Sequence, residues 1–223
     1  MLAYPSYPID VPMAHRLDHV WSLRASHALE LAPIDVGSVN VVVWDDRTRA
    51  FAGVEALRDA GVIENPLPFV LDSLSTADTL GMTPTLGSFD VGHTRTVGLL
   101  AESGHLRAPV LLKIFLSGAL AFGPEPSEDA LDLHLRQLPA GLAVEWIAVP
   151  YAIADAALIE RLCRHALHRG GGIRVGIGDT PAAHSHTTNA ALTEQATQWA
   201  ADAGRPVATA DDTRRWLAAT PRD

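Results

Sequence analysis

The sequence has one cysteine, one lysine and no long apolar run in its 223 residues, and the first and last of these shortages each exclude a class of protein. With Cys163 alone, no internal disulfide can form, which fits a reducing cytosol. No stretch reaches the ~20 consecutive apolar residues of a membrane span, and the first residues lack the basic start and apolar core of a secretory signal. A net charge of −9 disfavours nucleic acid as a partner. We therefore expect a cytoplasmic protein that binds neither membranes nor nucleic acid.

The order of elements predicts one α/β domain spanning residues 1–223. Strand-like and helix-like runs alternate without a linker long enough to separate two domains, which is the pattern of a parallel sheet with crossover helices. The predicted strands are 2–4, 30–34, 39–44, 85–91, 110–116, 142–149 and 172–179. The predicted helices are 14–28, 66–80, 94–102, 127–139, 152–169, 188–203 and 209–217, with Asn65 as the cap of the second.

About six βα units in series favour a (β/α)8 barrel of the TIM type that is incomplete, because such a barrel usually takes ~250 residues. An open doubly wound sheet is the alternative. That fold usually carries a glycine-rich phosphate loop after its first strand, and the sequence has none there.

The segment from Gly172 to Asp179 is the most informative part of the chain. It is a short β-branched strand with Arg174 and Asp179 towards its carboxyl end, where parallel α/β proteins bind ligands. Because an isolated buried charge is costly, the two side chains need each other or a substrate. The segment therefore predicts an active-site fragment, and a salt bridge that only closes the last βα loop is the alternative.

Lys113, the single lysine, lies within a strongly apolar predicted strand. An amine in apolar surroundings loses its proton more readily and can attack a carbonyl to form a Schiff base. The alternative is that the ammonium points outward into water. Histidines in the predicted helices, such as His134, are expected outside a barrel and away from catalysis.

Five segments keep an order and a spacing that resemble one enzyme family over almost the whole chain. They are Arg16-Leu17, Asp35-Val36-Gly37-Ser38-Val39-Asn40, Phe89-Asp90-Val91-Gly92-His93, residues 171–179, and residues 188–192 continued by 204–209. Together they resemble the beta-keto acid cleavage enzymes, which include the 3-keto-5-aminohexanoate cleavage enzyme.

The resemblance implies a (β/α)8 barrel and a zinc-assisted retro-Claisen exchange. In that exchange a small-molecule beta-keto acid and acetyl-CoA yield acetoacetate and a new CoA ester, so zinc is the implied cofactor and acetyl-CoA the implied cosubstrate. Arg174 and Asp179 stand at the family's catalytic positions. Arg174 suits a carboxylate because its planar fork matches two oxygens, and Asp179 suits a base or an orienting group for Arg174.

The chain departs from the family pattern in two places. It begins to match at the family's third strand, so the first two strands, which carry an acidic residue and the zinc-binding His-x-His pair, have no counterpart. The family's zinc-binding glutamate is replaced by Gly178, which has no side chain to bind a metal. One hypothesis is that Met1 is a misassigned start and that a longer reading frame supplies the two strands.

Further candidates for substrate binding come from the matching segments. If residues 4–6 are the remnant of the third strand, the family's substrate-binding serine is Ser6 or the neighbouring Tyr4. The remaining candidates are Ser38, Asn40 and Asp90. Asn40 can bond to substrate or to loop backbone, and Asp90 with His93 can alternatively cap the helix that follows.

His184 and His186 form the replacement metal site that the sequence suggests. Alternate residues of an extended segment point the same way, so both rings can reach one ion, with His93 as a third ligand. A solvated pair of loop histidines is the alternative.

Two further functions stay open beside the cleavage reaction. One is a non-catalytic barrel relative that binds a small acid or a partner chain. Whether the protein is such a relative or an active cleavage enzyme, we expect it to form a homo-oligomer that covers its exposed sheet edges. The other is a metal-independent aldolase that forms a Schiff base at Lys113.

Overall fold

A computed structural model of the chain describes residues 5, 7–8, 11–26, 29–45, 47–52, 61–107 and 109–218. Within these ranges the strands are β1 Leu31–Asp35, β2 Val39–Asn40, β3 Val43–Asp45, β4 Ala50–Ala52, β5 Val62–Ile63, β6 Thr83–Ser88, β7 Val110–Ser117, β8 Val144–Tyr151 and β9 Gly172–Ile173. The helices are α1 Asp18–Ser26, α2 Leu67–Thr79, α3 Val91–Glu102, α4 Glu128–Leu135, α5 Ala156–His168, α6 Asn189–Asp202 and α7 Ala210–Ala218, and the 3-10 helix Met13–His15 precedes α1. None of the described helices is both long and apolar enough to cross a bilayer.

The central sheet is parallel and follows the order of the chain. Its five strands lie in the order β1-β6-β7-β8-β9, and helices connect them from β6 onward. Sequential parallel pairing with crossover helices is the arrangement of a (β/α)8 barrel, whereas a doubly wound sheet reverses its order at a switch point. The expectation of an incomplete barrel is confirmed. The predicted strand 2–4 lies outside the described residues.

The two faces of this sheet differ in character because side chains alternate along a strand. Ile34, Leu86 and Leu112 are fully buried and join the main core with buried residues of the helices. Full burial of each such side chain contributes about 1.5–3 kcal/mol to stability. We call the opposite face the inner face; across it Asp35, Gly87, Lys113 and Ile147 lie in one row.

Side-chain caps start four of the helices, as the turn chemistry of the sequence requires. Asp90, Ser127, Asp155 and Thr188 each accept a hydrogen bond from a backbone N–H in the first turn of the following helix. α5 then buries one face that includes Cys163, and burial raises the pKa of this thiol to about 12. The cysteine is a buried apolar residue, as expected.

The structure corrects the sequence prediction at four points. The predicted strand 172–179 is much shorter, since β9 spans only Gly172–Ile173 and Arg174 to Asp179 follow it in a loop. Residues 39–44 form no barrel strand: β2 pairs with β5 and β3 pairs with β4 in two short antiparallel ladders, because the excursion after β1 supplies its own partners. Asn65 is not the cap of α2, which begins after Pro66 without a side-chain cap, because the Asn65 side chain is used elsewhere. α5 begins at Ala156 rather than at Ala152, which has a positive φ of 50° and cannot join a helix.

Candidate active site

Three of the charged residues discussed above lie at one edge of the sheet, where the parallel strands end. β9 is followed by Arg174, β6 is followed by Asp90, and β1 ends at Asp35. In barrels of this kind the same edge carries the catalytic groups. The edge has a β9 side, around Arg174, and a β1 side, around Asp35.

Arg174 and Asp179 form a two-point ion pair on the β9 side. Arg174 Nε donates to Asp179 Oδ2 at 2.7 Å, and Nη2 donates to Oδ1 at 2.8 Å. The backbone holds the pair in place, since Arg174 N donates to Ala148 O at 3.0 Å and Ala152 N donates to Asp179 O at 2.6 Å. Asp179 is buried while Arg174 is more accessible, with side-chain exposures of 11% and 38%. Such planar pairing fixes the orientation of the carboxylate.

The loop after this pair does not assemble a metal site in the described part of the chain. His184 Nδ1 lies 2.7 Å from Thr180 Oγ1, and His186 is exposed. No group of three His, Cys, Asp or Glu side chains with a spacing that could hold a metal ion occurs among the described residues. A Cβ at Gly178, the family's glutamate position, would have open space around it. The donors present therefore do not fit the zinc ion that the resemblance implies.

A charged row crosses the inner face on the β1 side, with Asp35 partly buried and Lys113 buried. Asp35 lies over Gly87, where an added Cβ would overlap with the Asp35 carboxylate, and Lys113 is the next residue in the row. Lys113 is only 6% exposed, so its side chain does not reach out into water. Burial raises the pKa of Asp35, and the nearby Lys113 and Arg16 charges oppose that rise.

Arg16 reaches the same side of the edge from the segment that precedes α1. Its guanidinium is held by Nη1 bonds to Glu64 O at 2.5 Å and to Asn65 Oδ1 at 2.9 Å. The rings of Tyr7 and Phe69 lie 5.5 and 5.9 Å from its central carbon. The Tyr7 hydroxyl also donates to Asn65 Oδ1, and burial raises the pKa of Tyr7 to about 12.

Asn65 connects this cluster to the loop that follows β1. Its backbone N–H donates to Ser38 Oγ at 2.9 Å, and its Nδ2 donates to Gly37 O at 3.1 Å. The ring of His93 lies directly against Gly37, in space that any Cβ at this position would occupy. Burial lowers the pKa of His93. Ser38 and His93 are thus brought together on the β1 side.

The other predicted substrate residues are placed differently. Asp90 caps α3, accepting from Gly92 N at 2.7 Å, as the alternative interpretation expected. Asn40 is exposed in the β2–β5 ladder. Tyr4 and Ser6 lie outside the described residues.

Three aromatic rings pack beside the charged row, at the carboxyl ends of β6, β7 and β8. Phe89 and Phe115 stack with centroids 4.1 Å apart, and Tyr151 meets both rings edge-on. Lys113 Nζ lies 5.9 Å from the centre of the Phe115 ring. The inner face therefore combines charge with an apolar wall, which is typical of pockets for small organic ligands.

Sequence reasoning missed the roles of Arg16, Asp35 and His134. Arg16 and Asp35 stand in the matching segments, but their partners are distant in sequence. His134 was expected outside the barrel, yet it is fully buried, with Nδ1 2.7 Å from Thr94 Oγ1, which in turn lies 2.8 Å from Ser88 Oγ. Burial lowers the pKa of His134 to about 4. His134 follows Ala130 and Leu131 at helical spacing, so the periodicity of α4 was the signal that places it on the buried face.

Comparison with known proteins agrees with this architecture. A family model for beta-keto acid cleavage enzymes matches residues 2–218. A curated relative, 3-dehydrocarnitine:acetyl-CoA trimethylamine transferase of Rhizobium meliloti (strain 1021), is 23% identical over 205 residues, which are 89% of this chain and 61% of that protein.

Among solved structures, the apo structure of ObcA superimposes with a TM-score of 0.56 at 16% identity, over 85% of this chain and 44% of that one. This likeness concerns the fold. The chain spans about three fifths of the curated relative and under half of the structural neighbour. Because the family model covers nearly the whole chain, the protein belongs to the beta-keto acid cleavage enzyme family.

Proposed function

We propose that this protein cleaves a carbon–carbon bond of a small beta-keto acid in exchange with acetyl-CoA, giving acetoacetate and a new CoA ester. The Arg174–Asp179 pair carries the proposal, because it places an oriented carboxylate at the ligand-binding edge of a family member's sheet. The name of the curated relative, a transferase that acts with acetyl-CoA, supports acetyl-CoA as the cosubstrate.

The atom balance of this exchange assigns a task to Asp179. The carbon between the keto and carboxyl groups of the substrate ends up bonded to the acetyl group, so it must first lose a proton. Asp179 takes that proton, and Arg174 holds the Asp179 carboxylate in one orientation during the transfer. Each Asp179 oxygen accepts one Arg174 bond and keeps a second lone pair for the proton.

The remaining steps form the two products and return the proton that Asp179 removed. The deprotonated carbon bonds to the acetyl carbon, and the CoA thiolate leaves. The thiolate then attacks the original keto carbon, and the bond from that carbon to the transferred unit breaks. The departing acetoacetate enolate takes back the proton that Asp179 holds.

The test compares acyl exchange by the wild-type protein with that by Asp179→Asn, using acetyl-CoA and a panel of short beta-keto acids. Asparagine keeps the shape of the side chain but cannot take the proton, so kcat is expected to fall by about 10²-fold or more. Asp202→Asn is the matched control, because Asp202 pairs with Arg164 at 3.1 Å on the helices outside the sheet. Equal kcat values for Asp179→Asn and Asp202→Asn would overturn the role of Asp179.

A second candidate function, imine formation at Lys113, is favoured by the burial of that side chain on the inner face beside Phe115. Borohydride added with a keto acid would then leave a reduced adduct on Lys113, seen as a mass increase on its peptide. A peptide of unchanged mass would exclude this chemistry.

A further inference from the structure

The ion pair on the β9 side leaves open which cation binds the acid group of a ligand. Sequence reasoning assigned a carboxylate to Arg174, whose planar fork suits two oxygens. In the structure that fork already holds both oxygens of Asp179. A ligand carboxylate that used the same Nε and Nη2 donors would have to displace a buried, doubly bonded partner, which is costly. A second cation at the sheet edge would bind an acid without disturbing this pair.

Arg16 has the donor that such an acid requires. The residue is 5% exposed, and its Nη1 is engaged by Glu64 O and Asn65 Oδ1. Its Nε is buried and has no hydrogen-bond partner in the part of the chain that the structure describes. A buried donor without an acceptor is rare and costly, more so on a charged group. An oxygen of a bound ligand would satisfy it.

The charges around Arg16 favour an anion at this position. Arg16 and Lys113 bring two positive charges, and Asp35 is the carboxyl group that faces both. Burial raises the pKa of Asp35, and one carboxyl group stands against two cationic side chains. The Tyr7 hydroxyl stays neutral, because burial raises the pKa of Tyr7 to about 12, and the Glu64 side chain is exposed.

The cluster also adjoins the loop that holds Ser38, one of the candidate substrate residues. Asn65 accepts from Arg16 with its side chain, and it bonds to Ser38 Oγ and Gly37 O. An oxygen bound at Arg16 would thus lie on the same side of the edge as Ser38 and Asp35.

We propose that Arg16, supported by the charge of Lys113, forms a carboxylate-binding subsite on the β1 side of the sheet edge, with its Nε–H as the donor to the ligand. The ligand class, a small keto acid, rests on the proposed function. The subsite is separate from the Arg174–Asp179 pair, so Arg16 binds the acid and Asp179, held by Arg174, removes the proton.

The test follows the Nε–H resonances of arginine in a ¹H–¹⁵N spectrum of the intact protein. Acetoacetate, its methyl ester and inorganic phosphate are the three probes, and Arg16→Lys and Arg16→Gln identify the Arg16 signal by its loss. Acetoacetate is expected to move the Arg16 signal downfield and to bind at least about tenfold more tightly than the ester. The Arg16→Gln variant is expected to lose that preference, and Arg16→Lys to keep part of it.

Arg24→Gln is the matched control on the neighbouring helix, because Arg24 already bonds to Leu80 O at 3.0 Å and to Leu29 O at 3.1 Å. It should retain the preference for the acid. The spectrum of the wild-type protein decides the question even if an Arg16 variant does not fold. An Arg16 signal that responds equally to acid and ester, or to phosphate and not to acetoacetate, would overturn the subsite.

The outcomes separate this inference from the proposed function. Selective acid binding at Arg16 without acyl exchange would leave the subsite standing and refute the cleavage activity. Acyl exchange together with an Arg16 signal that does not respond to acetoacetate would support the cleavage activity and refute the subsite.

Discussion

At the scale of single residues, burial decides which ionisable groups can act. Asp179 is buried and held in one orientation by Arg174. His186 is exposed and belongs to no potential metal-binding group among the described residues. His134 is the most completely buried histidine of the described chain, and its Nε2 has no partner there. A proton on that nitrogen would be a second buried donor without an acceptor, which explains why burial lowers the pKa of His134 to about 4.

The depressed pKa of His134 predicts a loss of stability in acid. The unfolded chain takes up a proton near pH 6.5, while the folded chain resists protonation until about pH 4. Stability is therefore full above pH 6.5 and falls as the pH drops from there to about 4, by about 3 kcal/mol in total from this group. Urea unfolding of wild type and His134→Gln across this range should show a flatter profile for the variant. The control variant is His168→Gln, because His168 is exposed, and its unfolding free energy should vary with pH as in the wild type. Identical dependence on pH in all three proteins would contradict the prediction.

The histidines of the loop after β9 give a second prediction at this scale. Thr180 engages His184, and His186 is exposed, so replacing both should not change the metal content of the dialysed protein. Elemental analysis of wild type and of the His184→Ala/His186→Ala variant measures this directly. Stoichiometric zinc that disappears in the variant would contradict the prediction.

At the scale of elements, close approach between strands positions the charged row. β1 and β6 pair in parallel, and the absence of a side chain at Gly87 lets the Asp35 carboxylate lie across β6 towards Lys113. A Cβ at Gly87 would occupy the position of that carboxylate. The row therefore depends on one glycine as much as on its charges.

Replacing Gly87 is expected to damage both stability and the β1 side of the edge. Gly87→Ala should cost about 1–3 kcal/mol of unfolding free energy, because Asp35 must leave its partly buried position beside its cationic partners. Gly178→Ala is the control, since a Cβ there has open space. Thermal unfolding of both variants checks the difference, and equal melting temperatures would count against the role of Gly87.

The sequence predicted the central sheet from local patterns, and it failed where partners are distant. The apolar run of β7 carries its own signal and forms the strand that was expected, whereas the predicted strand 172–179 ends at Ile173 and leaves Arg174 and Asp179 in the loop after it. Asn65 has the residue type of a helix cap, but tertiary bonds to Arg16 and Gly37 take its side chain. No local pattern contains such competition between partners 28 and 49 residues apart.

At the scale of the whole molecule, the described sheet is an open arc of a barrel. β1 and β9 each pair with one neighbour within the described residues. Strand edges that pair with nothing invite association with another chain. We predict a homo-oligomer, which sedimentation velocity at micromolar concentration would detect as a mass well above the 23.8 kDa of one chain. A single species of one chain's mass would contradict this.

The most direct test of the account is to trace the acetyl group. Acetyl-CoA labelled with ¹³C in its acetyl carbons is incubated with a beta-keto acid and the wild-type protein, and the products are followed by NMR. Labelled acetoacetate is expected, with the label in its acetyl end and an equal amount of a new CoA ester. With Asp179→Asn the signal is expected to grow at least about 10²-fold more slowly. Label that stays in acetyl-CoA with every acid in the panel, or equal rates for the two proteins, would contradict it.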